Sequence, residues 1–208
     1  LVVKLKYNKE RRIVIMKKLN KKGFTLIELL AVIVILAVVL GIAIPAVSQY
    51  ITKSRKNGYK DNLIQFIDAA RKGATLGDEY SYPIDTNDAT VVPFSVLSIA
   101  IEKGGVNSSY DLPWKLNNSY VIIVNTGSAD SPKYDYYVTA SDGKYVTGSN
   151  KNLEIINEKN LKAADVIRLD NNGFSTIAVG NKFTVNASTG RLTSDSNGTI
   201  TVKEVASK

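Results

Sequence analysis

Two residue types are missing from the 208-residue chain: it has no histidine and no cysteine. Without histidine, Ser-His-Asp triads and His-containing zinc sites are excluded. Without cysteine, thiol nucleophiles, disulfides, zinc–thiolate sites and cysteine-ligated iron–sulfur clusters are excluded too. The missing cysteine does not place the chain in the cytosol; it means that an extracytoplasmic domain would have to hold together by packing alone. Methionine and tryptophan occur once each, as Met16 and Trp114. With 44% hydrophobic and 22% charged residues in 22.7 kDa, the chain suffices for one domain with a real core, or for two small ones.

Charge is unevenly placed. Residues 1–23 hold nine Lys/Arg against Glu10, a net +8, which leaves 18 basic and 18 acidic residues in the remainder. The sequence pI of 9.4 therefore belongs to the N-terminal tail. Nucleic-acid binding by the folded part loses its support, because phosphate binding needs a basic surface there. A basic head before an apolar run is instead the pattern of a membrane-insertion signal.

No charged residue occurs from Leu29 to Thr52, and Leu29–Ile44 is apolar throughout. The 22 residues Leu29–Tyr50 span roughly 33 Å as a helix, close to the ~30 Å hydrocarbon core of a bilayer. A buried core helix would show a polar face, and this run has none. A cleaved secretory signal would be shorter and followed by a small-residue cleavage site. Lys53, Arg55 and Lys56 follow the span, but nine basic residues precede it, so the N-terminus is expected in the cytoplasm and residues after about 53 outside.

Glu28 stands at the mouth of this run. An ionised carboxylate at membrane depth is costly unless it snorkels to the headgroups or finds a partner charge. The cations nearby in sequence are Lys21, Lys22 and those upstream. If they are removed by cleavage after Gly23, the new α-amino group of Phe24 takes their place.

The stretch Lys21-Lys22-Gly23-Phe24-Thr25-Leu26-Ile27-Glu28-Leu29-Leu30 resembles the processing site of type IV pilins and pseudopilins, and the likeness covers residues 16–56. The resemblance implies a leader with Lys17, Lys18, Lys21 and Lys22, cleaved after Gly23 by a membrane-embedded prepilin peptidase that also N-methylates Phe24. It implies that Glu28 meets the Phe24 amine of a neighbouring subunit. Gly41 and Pro45 sit where the family has a helix-loosening glycine and a proline. Pro45 removes a backbone hydrogen bond, so a kink near Gly41–Pro45 is expected, either tolerated without consequence or serving as a segment that stretches in a fibre. Met16-Lys17-Lys18 resembles the short start of such leaders, so translation is expected to begin at Met16, with residues 1–15 an upstream extension.

Beyond the span, Tyr59, Leu63, Phe66, Ile67, Ala70 and Ala74 repeat at helical spacing, so one helix is expected from about Phe24 to Lys72, with Gly73 and Gly77 as stops. Phe94–Lys103 reads as a short helix ended by Gly104-Gly105, and Trp114 as a core or loop anchor. Tyr120–Asn125, Tyr134–Ala140 and Lys144–Thr147 read as an antiparallel three-strand meander, with a turn at Ser141-Asp142-Gly143. A short helix is expected around Asn160–Arg168. Ser175–Val179, Lys182–Asn186 and Thr199–Val205 read as strands of a second small sheet.

Sites in this part are weak. Asp170-Asn171-Asn172-Gly173 lacks the downstream glutamate of a calcium loop and reads as a turn. Asn107, Asn186 and Asn197 begin chance glycosylation sequons. Tyr134, Tyr136, Tyr137 and Tyr145 read as sheet-face packing rather than an adhesive patch. Acidic pairs such as Asp78-Glu79 have no partner base, so no catalytic residue, metal ligand or cofactor is assigned.

The expected architecture is α+β: a basic leader (1–23), a hydrophobic transmembrane and assembly helix (24–56), and an extracytoplasmic head (57–208) in which the long helix packs on a small antiparallel sheet. The resemblance implies a structural subunit rather than an enzyme, held in the cytoplasmic membrane as a precursor and then in a filament on the cell surface. Implied partners are the membrane, other pilins as homo- or hetero-polymer, the prepilin peptidase, and an assembly platform with its ATPase. Nucleic acid enters only if the chain is a competence pilin. The alternative is a pseudopilin of a type II secretion or competence system. The lack of cysteine in the head suggests a Gram-positive-type pilin.

Overall fold

The structure, a computed structural model, describes residues 24–77, 79–97, 107–147, 154–169 and 176–207. It divides into two compact units, one ending at Ala46 and one running from Val47 to Lys208. Helix α1 is continuous from Leu26 to Leu76. It contains Gly41 and Pro45 without interruption and ends one turn beyond Lys72. The stop is Gly77, whose φ of +74° suits glycine and whose N–H donates to Gly73 O at 3.0 Å.

In the first unit the helix buries nothing: Leu26, Ile27 and Ile42 are 83%, 72% and 74% exposed, and the residues between are exposed in the same way. In the second unit Tyr59, Leu63, Phe66, Ile67, Ala70 and Ala74 are buried, the same six positions that the helical spacing selects. The reason is geometric, since positions three and four apart share one face of a helix.

That face lies on a seven-stranded sheet. Its strands are β1 (Asp88–Pro93), β2 (Tyr120–Asn125), β3 (Tyr134–Thr139), β5 (Ile156–Asn157), β7 (Lys182–Val185), β8 (Leu192–Ser194) and β9 (Ile200–Val205). Their order is β5-β3-β2-β1-β9-β7-β8. All pairs are antiparallel except β1 with β9. At the sheet's far ends Ile155, next to β5, and Leu192 of β8 exchange backbone hydrogen bonds of 2.8 and 2.9 Å, so the sheet curls until its ends meet. A separate two-stranded sheet joins β4 (Tyr145–Thr147) to β6 (Val166–Arg168).

Two hydrophobic clusters result. The α1 face packs with Val92, Phe94, Trp114, Val121, Ile123 and Val138. Val91, Ile122, Ile155, Phe183, Leu192 and Val202 fill the other side of the sheet. Strand β2 is consequently buried at all six positions, which explains the unbroken run Tyr120–Val124 before Asn125: neither face meets water. Trp114 is an anchor of the first cluster, edge-on to Tyr59 at 4.7 Å and to Phe66 at 5.5 Å, while Phe66 stacks on Phe94 at 3.9 Å.

Several expectations need correction. The three strands after Tyr120 are not one meander. β3 is bordered by β2 and β5, so its edge is occupied, and β4 pairs with β6 instead. The expected helix around Asn160–Arg168 is two 3-10 turns followed by a strand, because the β-branched Val166 and Ile167 pair with Thr147 and Val146. Phe94–Leu97 is a turn with bonds from Val96 to Pro93 and from Leu97 to Phe94, and the remainder of that expected helix lies outside the described residues. Residues 176–179 are loop rather than strand, although Ile177 is buried. The C-terminal strands do not form a second sheet; β9 adds in parallel to β1, a strand the sequence did not reveal.

Polar turns close the remaining gaps. The buried Asp142 accepts from the backbone N–H of Lys144 (2.9 Å) and Tyr145 (2.7 Å) and from Ser108 Oγ (2.6 Å). The buried Asn125 ties the 126–133 loop to Ile84 through its side-chain amide.

Tyrosine hydroxyls bolt α1 to the head. Tyr59 Oη donates to Ala140 O at 3.2 Å, and Tyr80 Oη to Ala70 O at 3.2 Å. Burial raises Tyr59 well above the ordinary phenol value near 10 and pushes Tyr80 up to about 12. A raised folded value favours the neutral form, so this stability is intact below pH about 10 and is lost as pH climbs through the folded values. Far-ultraviolet circular dichroism and tyrosinate absorbance are expected to change together on alkaline titration, between the ordinary phenol value and about 12 or higher. Phe66→Ala opens a cavity beside Phe94 and Trp114 and is expected to cost the head about 3–5 kcal/mol in denaturant unfolding.

Candidate functional site

The start of α1 holds the residues singled out by the sequence. Phe24 is 88% exposed. Thr25 is the N-cap, and the first helical bond runs from Leu29 N to Thr25 O at 3.2 Å. Glu28 Oε2 accepts from Thr25 N at 2.8 Å and from Thr25 Oγ1 at 2.9 Å, while Glu28 N donates to Thr25 Oγ1 at 3.3 Å. This is a reciprocal capping box, in which cap hydroxyl and third-position carboxylate each satisfy a backbone N–H left over at the helix start.

Within its own chain, among the described residues, Glu28 is bonded by Thr25 rather than by a cation, a partner that the charge pattern alone does not suggest. The signal was present, since a threonine followed three residues later by a glutamate before an apolar run is the pattern of a capped helix start. A carboxylate accepts about four hydrogen bonds. Both contacts fall on Oε2, and among the described residues Oε1 accepts none, so an outside donor has a free oxygen to meet.

Gly23 and the leader residues Lys17, Lys18, Lys21 and Lys22 lie outside the described residues. Gly41 and Pro45 lie thirteen and seventeen positions after Glu28 on the same helix and are not gathered with it. A Cβ on Gly41 would meet nothing within 4 Å. From Leu26 to Leu76 the helix is long and apolar enough to cross a membrane, and its apolar run is not buried.

The other candidates resolve into packing. Tyr136 and Tyr137 are buried, Tyr134 stacks on Tyr82 at 4.3 Å, and Tyr145 stacks on Tyr110 at 3.6 Å. The Asn186 side chain accepts from the N–H groups of Ser188 and Thr189 and so shapes its own turn. Asp170-Asn171-Asn172-Gly173 and Asp78 lie outside the described residues. Among the described residues no group of three or more acidic side chains gathers as a metal would require.

Replacing Thr25 by alanine removes the cap while leaving the apolar run intact. Amide hydrogen exchange of the full chain in micelles is expected to quicken at residues 28 and 29, whose N–H groups bond to Thr25, and to stay unchanged in the head.

Comparison with known proteins adds one finding at this site. No characterised protein and no solved structure matches the chain. The sequence profile of the prokaryotic N-terminal methylation motif matches residues 18–44, which take in the end of the leader, the capping box, Gly41 and most of the apolar run. The chain thus carries at its N-terminus the methylation motif of type IV pilin-like precursors, followed by a long apolar helix.

Proposed function

We propose that the chain is the precursor of a structural subunit of a type IV pilus-like filament, divided into a leader (1–23), an assembly helix (24–56) and a head (57–208). A prepilin peptidase cuts after Gly23, guided by the basic leader residues Lys17, Lys18, Lys21 and Lys22, and N-methylates Phe24. The precursor sits in the cytoplasmic membrane with its leader inside. The mature chain polymerises through residues 24–56 with copies of itself or other pilins, driven by an assembly platform and its ATPase. The single observation that carries this reading is the methylation motif at residues 18–44, coinciding with a capped helix whose apolar side chains are left exposed.

The chemistry of the helix start supports a role for Glu28 in assembly. Cleavage leaves an ammonium on Phe24, and methylation keeps it cationic. A cation at the N-terminal end of a helix is opposed by the helix dipole, so it gains from a nearby carboxylate. The Glu28 carboxylate of its own chain is already held by Thr25 through Oε2. Oε1 of a neighbouring copy's Glu28 is therefore a suitable acceptor. The pair fixes the register of two helices, because either charge left alone in apolar surroundings is costly. Gly41 and Pro45 loosen the helix and let it stretch in the fibre.

Mass spectrometry of the mature protein from cells is expected to find residue 24 as the N-terminus, carrying one added methyl group. Glu28→Ala is expected to be cut and inserted normally but to yield no sheared filaments. Recovery of a protein that retains Lys22-Gly23 and never polymerises would sink the reading. A pseudopilin would show the same N-terminus with short filaments and loss of secretion or DNA uptake on deletion.

A further inference from the structure

Lys53, Arg55, Lys56 and Lys60 lie within eight positions of α1, directly after the uncharged run. Among the described residues none of the four forms an ion pair. Two of the four cations, Lys53 and Lys56, line a groove of about 500 Å³ with Ser48, Gln49, Thr52 and Asn57. The far wall is the pair of small residues at 163–164, and among the described residues no carboxylate lines the groove. Positions 49, 53 and 56 share one helix face, so Gln49, Lys53 and Lys56 line one opening.

Hydroxyls, amides and two ammonium groups without a carboxylate suit an oxyanion. The place of the groove in the chain says which one. It begins at the end of the uncharged run, whose residues up to Tyr50 match the hydrocarbon core, so Thr52, Lys53, Lys56 and Asn57 fall at headgroup level. Ala163 and Ala164 give the groove an apolar side, against which the first acyl carbons of a phospholipid can lie while its phosphate meets the lysines.

We infer that this groove seats the phosphate of an anionic phospholipid in the leaflet on the head's side of the membrane. The lipid holds the precursor at a fixed depth before assembly, and it must be released when the subunit leaves the bilayer. This rests on the membrane-inserted precursor proposed above.

The test uses the full chain in vesicles of phosphatidylcholine containing a minority of phosphatidylglycerol. Native mass spectrometry of the released protein counts the lipids that remain bound, and resistance to alkaline carbonate extraction reports insertion. The wild-type chain is expected to retain phosphatidylglycerol well above its share of the bilayer. A lysine near an anionic surface is worth about a five-fold preference, so Lys53→Gln with Lys56→Gln is expected to lower the preference for phosphatidylglycerol over phosphatidylcholine by about twenty-five-fold. Lys182→Gln, an exposed lysine on β7, is expected to leave it unchanged.

Equal enrichment in the wild type and the double variant overturns the proposal while leaving the precursor reading intact. So does displacement of the lipid by millimolar inorganic phosphate, which marks a free-anion site. Unchanged lipid retention with loss of crosslinks to a second copy also overturns it and assigns the groove to a subunit interface. A wild-type chain extracted by carbonate removes the membrane reading itself, and this proposal with it.

Discussion

Apolar side chains from Leu26 to Ile44 point outward around the whole helix, while strand β2 in the head's sheet is already buried on both faces. The α1 face from Tyr59 to Ala74 covers one side of the sheet, and the residues around Phe183, Leu192 and Val202 fill the other. A cylinder that is apolar all round needs an apolar medium or other apolar cylinders. This constraint decides the rest: the head must be complete on its own, and the exposed run must be covered by lipid or by neighbouring helices.

The capping box is the polar counterpart of that constraint. Backbone N–H groups at a helix start cannot go unpaired in an apolar setting. Thr25 and Glu28 satisfy two of them without bringing in any other residue. The same carboxylate keeps one oxygen free, so local capping and contact with another chain do not compete for the same atom. Thr25 therefore holds the group through which Glu28 is proposed to act, and its loss would change the aim of the carboxylate without removing the charge.

In the head, closure replaces the missing disulfides. Seven strands curl until Ile155 and Leu192 bond, and Arg191 reinforces the seam by reaching Glu154 and Asp165 at 2.7 Å each. Closing a sheet removes exposed edges, the usual route by which strands from different molecules pair. In the filament proposed above, that would confine association to the helices.

The helix start, the uncharged run and the six-residue stripe were legible in the sequence because each is a local pattern: a cap spacing, an absence of charge, a repeat of three and four. Strand β2 was legible for the same reason, as an unbroken apolar segment with turn residues at both ends. Partner choice was not legible. That β4 leaves β3 for β6, that β9 runs parallel to β1, and that the sheet closes on itself depend on which edges are already filled, and no single segment carries that information. The groove at Lys53 and Lys56 belongs to the second kind, since its far wall comes from residues more than a hundred positions away and exists only once the chain has folded.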